Sequence, residues 1–126
     1  MYLVYILRSG TKSYVGMTND FFHRWRQHIG ELKGGAKYTT RFGTDWYPIL
    51  IIDGFHTMRE AMQCEWKVKR RKGHHKRVNW VYELLTSHEQ WTTKSPKIQD
   101  QQLHIYVDRE YRDLFQTHDT RELCWI

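Results

Sequence analysis

Cysteine is scarce: only Cys64 and Cys124 occur in 126 residues. Two thiols cannot complete a Cys-rich four-ligand zinc module, and their placement matches no secreted disulfide framework. A reducing, intracellular setting is therefore expected, in nucleus or cytoplasm, and structural zinc is not. Long apolar runs are lacking too. The N-terminal Met1-Tyr2-Leu3-Val4-Tyr5-Ile6-Leu7 has no basic flank and no small-residue cleavage site, so it reads as a strand and not as a signal peptide. Nothing approaches the roughly 20 apolar residues of a membrane span, which argues against a membrane partner. Internal repeats and low-complexity tracts are also missing. The chain is long enough for one compact core and too short for two ordinary domains, so a single domain over 1–126 is expected.

Acidic residues are few in the N-terminal part. From Met1 to Arg77 there are 15 Lys+Arg against 6 Asp+Glu, a balance of +9; from Val78 to Ile126 there are 5 against 8, a balance of −3. A basic N-terminal region is the footprint of a phosphate-backbone binder.

Residues 2–8 and 13–17, separated by Ser9-Gly10-Thr11-Lys12, have the composition of a β-hairpin. Thr18-Asn19-Asp20 offers capping oxygens to a helix over 21–33, ended by Gly34-Gly35, with an apolar stripe of Phe21, Phe22, Trp25, Ile29 and Leu32. Arg24 and His28, four apart, border that stripe and can point into a cleft. A basic loop over 36–45 leads to the apolar run 46–52, suited to a central strand with Pro48 near its start. Thr57 and Glu60 form a T-x-x-E capping box for the next helix. Val78, Val81, Leu84 and Leu85 mark a further helix, 91–102 reads as a loop, and 103–107 as a short strand before a weak final helix.

On the helix after Thr57, geometry of about 100° per residue puts Glu65 among Met58, Ala61, Met62 and Trp66, with Arg59, Gln63, Lys67 and Arg70 opposite. An ionised carboxylate in an apolar surround is costly unless it pairs or holds a cation. Glu65 is thus expected to be either a buried ion-pair partner or a metal ligand, and the rest of the chain favours the metal.

Leu3-Val4-Tyr5 and Tyr14-Val15-Gly16, followed by Arg24, His28 and Glu65 in that order, resemble the paired strand motifs and later residues of the GIY-YIG endonuclease superfamily. Leu3 stands where glycine often stands in the first motif. Within that superfamily, Gly30-Glu31-Leu32-Lys33-Gly34-Gly35-Ala36 and Cys64-Glu65-Trp66 resemble the catalytic subunits of Slx-type structure-specific endonucleases. The resemblance implies an α/β (α+β) fold: a small antiparallel three-stranded sheet flanked by helices, with a catalytic core over 1–73 and a C-terminal helical extension over 74–126. It also implies cleavage of branched DNA (flaps, forks, four-way junctions) in repair or recombination. Cellular members carry a C-terminal RING-like zinc module that docks a scaffold subunit. This sequence shows none, so a scaffold partner is not implied as firmly as DNA is; a homodimer that masks the site is a further expectation.

Phosphodiester hydrolysis needs a deprotonated water, charge stabilisation at phosphorus and help for the departing 3′-oxygen. Tyr5 is the expected general base, with Tyr14 orienting the water or metal shell, and the two roles can be exchanged. A free tyrosine titrates near 10, so positive charge from Arg24 and the metal is expected to activate it. Arg24 would grip the scissile phosphate with its planar guanidinium, and His28 would hydrogen-bond a phosphate oxygen or relay a proton. Glu65 with waters would hold a single Mg²⁺ or Mn²⁺, since no second carboxylate accompanies it. Lys37, Arg41, Lys67, Arg70, Arg71, Lys72, Lys76 and Arg77 are the expected DNA-backbone contacts. The alternative is a non-catalytic DNA- or RNA-binding module. A mere binder has no reason to assemble Tyr5, Tyr14, Arg24 and Glu65 together.

Overall fold

A computed structural model of the chain describes residues 1–43, 45–115 and 120–122. The hairpin forms as the sequence indicates, with β1 (Tyr2–Ser9) antiparallel to β2 (Lys12–Thr18). On its other side β1 pairs with β3 (Tyr47–Phe55), also antiparallel, which makes β1 an inner strand. Its continuous apolar run follows from that position, because both faces are covered. Val4 and Ile6 enter one hydrophobic cluster, while Tyr5 and Leu7 enter another on the opposite face.

The mixed α/β class is as expected, but the sheet is wider than three strands. A fourth strand, β4 (His104–Val107), runs antiparallel to β3, and β5 (Thr120–Glu122) lies parallel to β4, giving the order β2-β1-β3-β4-β5. The extension after residue 73 is therefore not purely helical. Its strand β4 buries Ile105 and Val107 in the same cluster as Val4, Ile6 and Ile52, and this packing draws the segment to the open edge of β3.

Helices α1 (Phe21–His28) and α2 (Lys37–Arg41) cover the face that carries Tyr5. Asp20 caps α1 by accepting the His23 N–H at 3.1 Å. The helix stops five residues before the expected Lys33. Gly30, at φ 87°, takes the left-handed conformation that ends a helix, and the side chains of Gln27 and Arg24 donate to the carbonyls of Lys33 and Gly34, folding 31–36 back as a turn. The buried stripe is accordingly Phe21, Trp25 and Ile29; Phe22 is exposed, and Leu32 lies beyond the helix. The expected loop over 36–45 contains α2, anchored by Trp46, whose indole N–H donates to the Thr39 carbonyl at 3.0 Å.

The other face is covered by α3 (Met58–Val68) and α4 (His74–Ser87), with Trp91 and Phe115. Thr57 caps α3 through the Glu60 N–H at 3.1 Å. Cys64 is fully buried there as a small core residue, while Cys124 lies outside the described residues. Each large apolar side chain buried in this way contributes about 1.5–3 kcal/mol.

Candidate active site

Strand register builds the site from the hairpin outward. Tyr5 lies directly across from Gly16. A Cβ on Gly16 would come within 2.6 Å of Tyr5 Cζ and 3.1 Å of Tyr14 Cε2, so the glycine is what lets the phenol ring lie flat across β2. Nothing in composition or periodicity signals that requirement.

The phenol ends at α1. Tyr5 Oη is 2.7 Å from His28 Nε2, and His28 Nδ1 is 2.8 Å from Thr39 Oγ1 on α2. His28 is 1% exposed and Thr39 is fully buried. The ring of Tyr14 sits 4.9 Å from that of His28 and 6.4 Å from that of Tyr5, with Tyr38 stacked beyond it at 6.3 Å. Thus Tyr5, Tyr14 and His28, chosen from the sequence, are brought together. Tyr38 and Thr39 were not foreseen, since their segment read as loop.

Burial governs the protonation of this group. It pushes the Tyr5 hydroxyl well above the ordinary tyrosine range, with Tyr14 adding to the effect, while Arg24 pulls the other way and Glu65 raises it slightly. Desolvation outweighs Arg24, so Arg24 by itself does not make Tyr5 a ready phenolate. His28 is pushed down to about 4 by burial first and Arg24 second, so it is neutral at pH 7. Arg24 lies one turn before His28, its Nη1 donating to Gln27 Oε1 and the Gly34 carbonyl, both at 2.8 Å. Those bonds hold the guanidinium in place beside Tyr5.

Glu65 departs from its expected surroundings. The core face of α3 is Ala61, Cys64 and Val68, whereas Met58, Met62 and Trp66 are about half exposed. The apolar face read from the sequence was rotated by roughly one position. Glu65 sits at the border, its side chain 22% exposed, in an i,i+4 ion pair with Lys69 at 3.2 Å. Its charge is felt at Tyr5.

The expected DNA-contact residues divide into four groups. Lys72, with Lys69 of the same basic run and the unforeseen Lys12, lines a cleft of about 590 Å³ beside Tyr14 and Tyr38. Lys67 and Arg71 instead lie over the Trp80 ring at 5.9 and 4.0 Å, next to Lys76, and Arg70 covers Trp66 at 3.6 Å. Lys37 and Arg41 are exposed on α2. Arg77 is structurally committed: it donates to the Ser13 carbonyl and hydroxyl at 3.0 and 2.8 Å and to the Arg71 carbonyl at 2.7 Å, tying α4 to β2.

Among the described residues no three His, Cys, Asp or Glu side chains converge to cage a metal. A lone, partly exposed carboxylate such as Glu65 fits only a hard ion that keeps most of its water, as Mg²⁺ does. Lys69 now occupies part of that carboxylate's coordination capacity.

Comparison with known proteins agrees with this arrangement. A family model described as the GIY-YIG catalytic domain matches residues 1–79, which hold every residue of the Tyr5 and Glu65 neighbourhood. Similar curated proteins include the structure-specific endonuclease subunit slx1 of Schizosaccharomyces japonicus, 41% identical over 66 residues, covering 52% of this chain and 24% of the relative. The protein of the same name from Talaromyces marneffei is 45% identical over 69 residues, 52% of this chain and 18% of the relative. A homologue in Leishmania infantum is 42% identical over 53 residues, 42% of this chain and 8% of its own length. The matched part of this chain thus spans less than a quarter of these relatives. With the family model covering more than half of the chain, the chain belongs to the GIY-YIG family.

Proposed function

We propose that this chain is a divalent-metal-dependent endonuclease that hydrolyses phosphodiester bonds at branched DNA, such as flaps, forks and four-way junctions. The observation that carries the proposal is the buried Tyr5–His28 pair, 2.7 Å apart, with Arg24 beside it and a lysine-lined cleft adjoining Tyr14. A structural core has little use for a desolvated phenol aimed at an imidazole next to a guanidinium; a hydrolytic site has.

In this reading Arg24 grips the scissile phosphate and offsets charge on the pentacovalent phosphorus. Tyr5 takes a proton from the attacking water while passing its own to neutral His28. The new P–O bond forms as the bond to the 3′-oxygen breaks, and solvent protonates that oxygen, leaving 5′-phosphate and 3′-hydroxyl ends. Tyr14 orients the water. Glu65 would hold one Mg²⁺ or Mn²⁺, which when bound supplies charge neutralisation at the phosphate. Lys12, Lys69 and Lys72 follow the backbone without reading sequence. The slx1 relatives are named as subunits, and we extend to this chain the inference of a protein partner.

The test is incubation of end-labelled flap, fork, junction and linear duplex DNA with the protein and Mg²⁺, Mn²⁺ or EDTA. Metal-dependent cutting near the branch is the expected result. Cutting undiminished by EDTA would remove the metal from the account, and equal cutting of the linear duplex would remove the branch preference. Tight binding with no cleavage in any metal would favour a binding module.

A further inference from the structure

We propose that Thr39 is a positioning residue that fixes the tautomer of His28, placing the proton on Nδ1 so that Nε2 is the acceptor of the Tyr5 hydroxyl. The consequence for catalysis rests on the hydrolase reading above; the tautomer itself does not.

The argument is an accounting of protons. A threonine hydroxyl has one hydrogen to give, and Thr39 Oγ1 donates to the Ala36 carbonyl at 3.0 Å. That carbonyl also takes the Thr40 N–H at 3.0 Å, which its two lone pairs allow. With its hydrogen committed, Thr39 Oγ1 presents only lone pairs to His28 Nδ1 at 2.8 Å, so Nδ1 must carry the proton. A neutral imidazole then has Nε2 bare, and Nε2 faces Tyr5 Oη at 2.7 Å. The far end agrees. Arg24, the cation beside the Tyr5 hydroxyl, has only donors to offer it, so the acceptor for the Tyr5 hydrogen is His28. Were the tautomer reversed, the Nε2–H would donate to Tyr5 Oη, and the buried Tyr5 hydrogen would have no acceptor among the described residues.

Thr39 can enforce this because it cannot move. It is fully buried, its carbonyl accepts the Trp46 indole N–H at 3.0 Å, and the Trp46 carbonyl accepts the Trp25 indole N–H at 2.9 Å. Two tryptophans thus clamp α2 against α1 and hold the hydroxyl at the imidazole. The order water, Tyr5, His28, Thr39 gives a one-way path on which the water proton replaces the Tyr5 proton and the latter moves to Nε2. A histidine in the other tautomer could not receive it.

The test is long-range ¹H–¹⁵N correlation of the His28 ring at pH 7 in the full chain, with Thr39→Ser and Thr39→Val, alongside single-turnover cleavage and DNA affinity. Wild type and Thr39→Ser are expected in the Nδ1–H form. Thr39→Val, which keeps shape and loses the acceptor, is expected to populate the Nε2–H form and to cut about 10- to 100-fold more slowly, a part of the roughly 10²- to 10⁴-fold that general-base assistance supplies, at unchanged DNA affinity. An Nε2–H signal in the wild type overturns the proposal without recourse to any variant. So does a Thr39→Val protein that cuts within twofold of wild type. An Nδ1–H signal lost in Thr39→Val, in a protein that cuts no DNA, supports the tautomer assignment while failing the hydrolase reading.

Discussion

At the scale of single residues, the site depends on an atom that is missing. Gly16 has no Cβ, and Tyr5 occupies that space. Gly16→Ala is expected to push the phenol off β2, lowering stability by about 1–3 kcal/mol, as overpacking does, and separating Tyr5 from His28. Urea unfolding and cleavage assays on the variant check this, and activity within twofold of wild type would show that Tyr5 has room to spare. His28 supplies a second prediction. Held at about 4 in the fold against about 6.5 in an unfolded chain, it leaves the unfolded state binding more protons between those values. Its contribution to stability is therefore complete above about pH 6.5 and is lost as pH falls toward 4, amounting to roughly 3 kcal/mol. Urea midpoints of wild type and His28→Gln from pH 4 to 8 should converge at the acid end. Parallel curves would mean that the imidazole titrates normally. Tyr5, Tyr14, Arg24, His28 and Glu65 were legible in the sequence because motif order and helical spacing are local properties. Gly16 was legible only as a motif letter, its reason lying in a cross-strand neighbour, and Thr39 was not legible, since it matters through a carbonyl that takes its hydrogen.

At the scale of elements, strands were read more truly than helix faces. The hairpin, β3 and β4 fall near their expected places because apolar runs bounded by turn residues leave few alternatives. The face of α3 was misjudged because Met58, Met62 and Trp66 look like core residues by type, yet only the smaller Ala61, Cys64 and Val68 fit against the sheet. The end of α1 was missed because two glycines at 34–35 outweighed Gly30, which turns the chain first. Arg77 shows the same difficulty with charge: in sequence it belongs to a basic run, in the fold it joins α4 to β2. Arg77→Gln is expected to cost about 1–3 kcal/mol by leaving the Ser13 carbonyl without its charged donor. Lys72→Ala should leave the melting temperature unchanged and lower the salt slope of DNA binding by about 1. The reverse pattern, with Lys72 stabilising and Arg77 silent in melting, would invert these assignments.

At the scale of the whole molecule, charge and topology point the same way. The +9 region over 1–77 holds the hairpin, both site helices and the lysine-lined cleft, while the −3 region supplies α4 and the outer strands. The antiparallel order β2-β1-β3 places Tyr5 on an inner strand, covered by α1 and α2, while α3, which carries Glu65, packs on the opposite face. In the proposed reading the Tyr5 phenol and the Glu65 carboxylate, the latter paired with the cleft residue Lys69, act from opposite faces of the sheet beside a cationic cleft. The most direct test is single-turnover cleavage of a labelled four-way junction in Mg²⁺ by wild type and Glu65→Gln, with junction affinity measured on both. Cutting by the wild type that Glu65→Gln reduces by about 10²-fold or more at equal affinity is the expected result, in line with the loss of a group acting on transition-state charge. Equal cutting by the two proteins would contradict the central role given to Glu65.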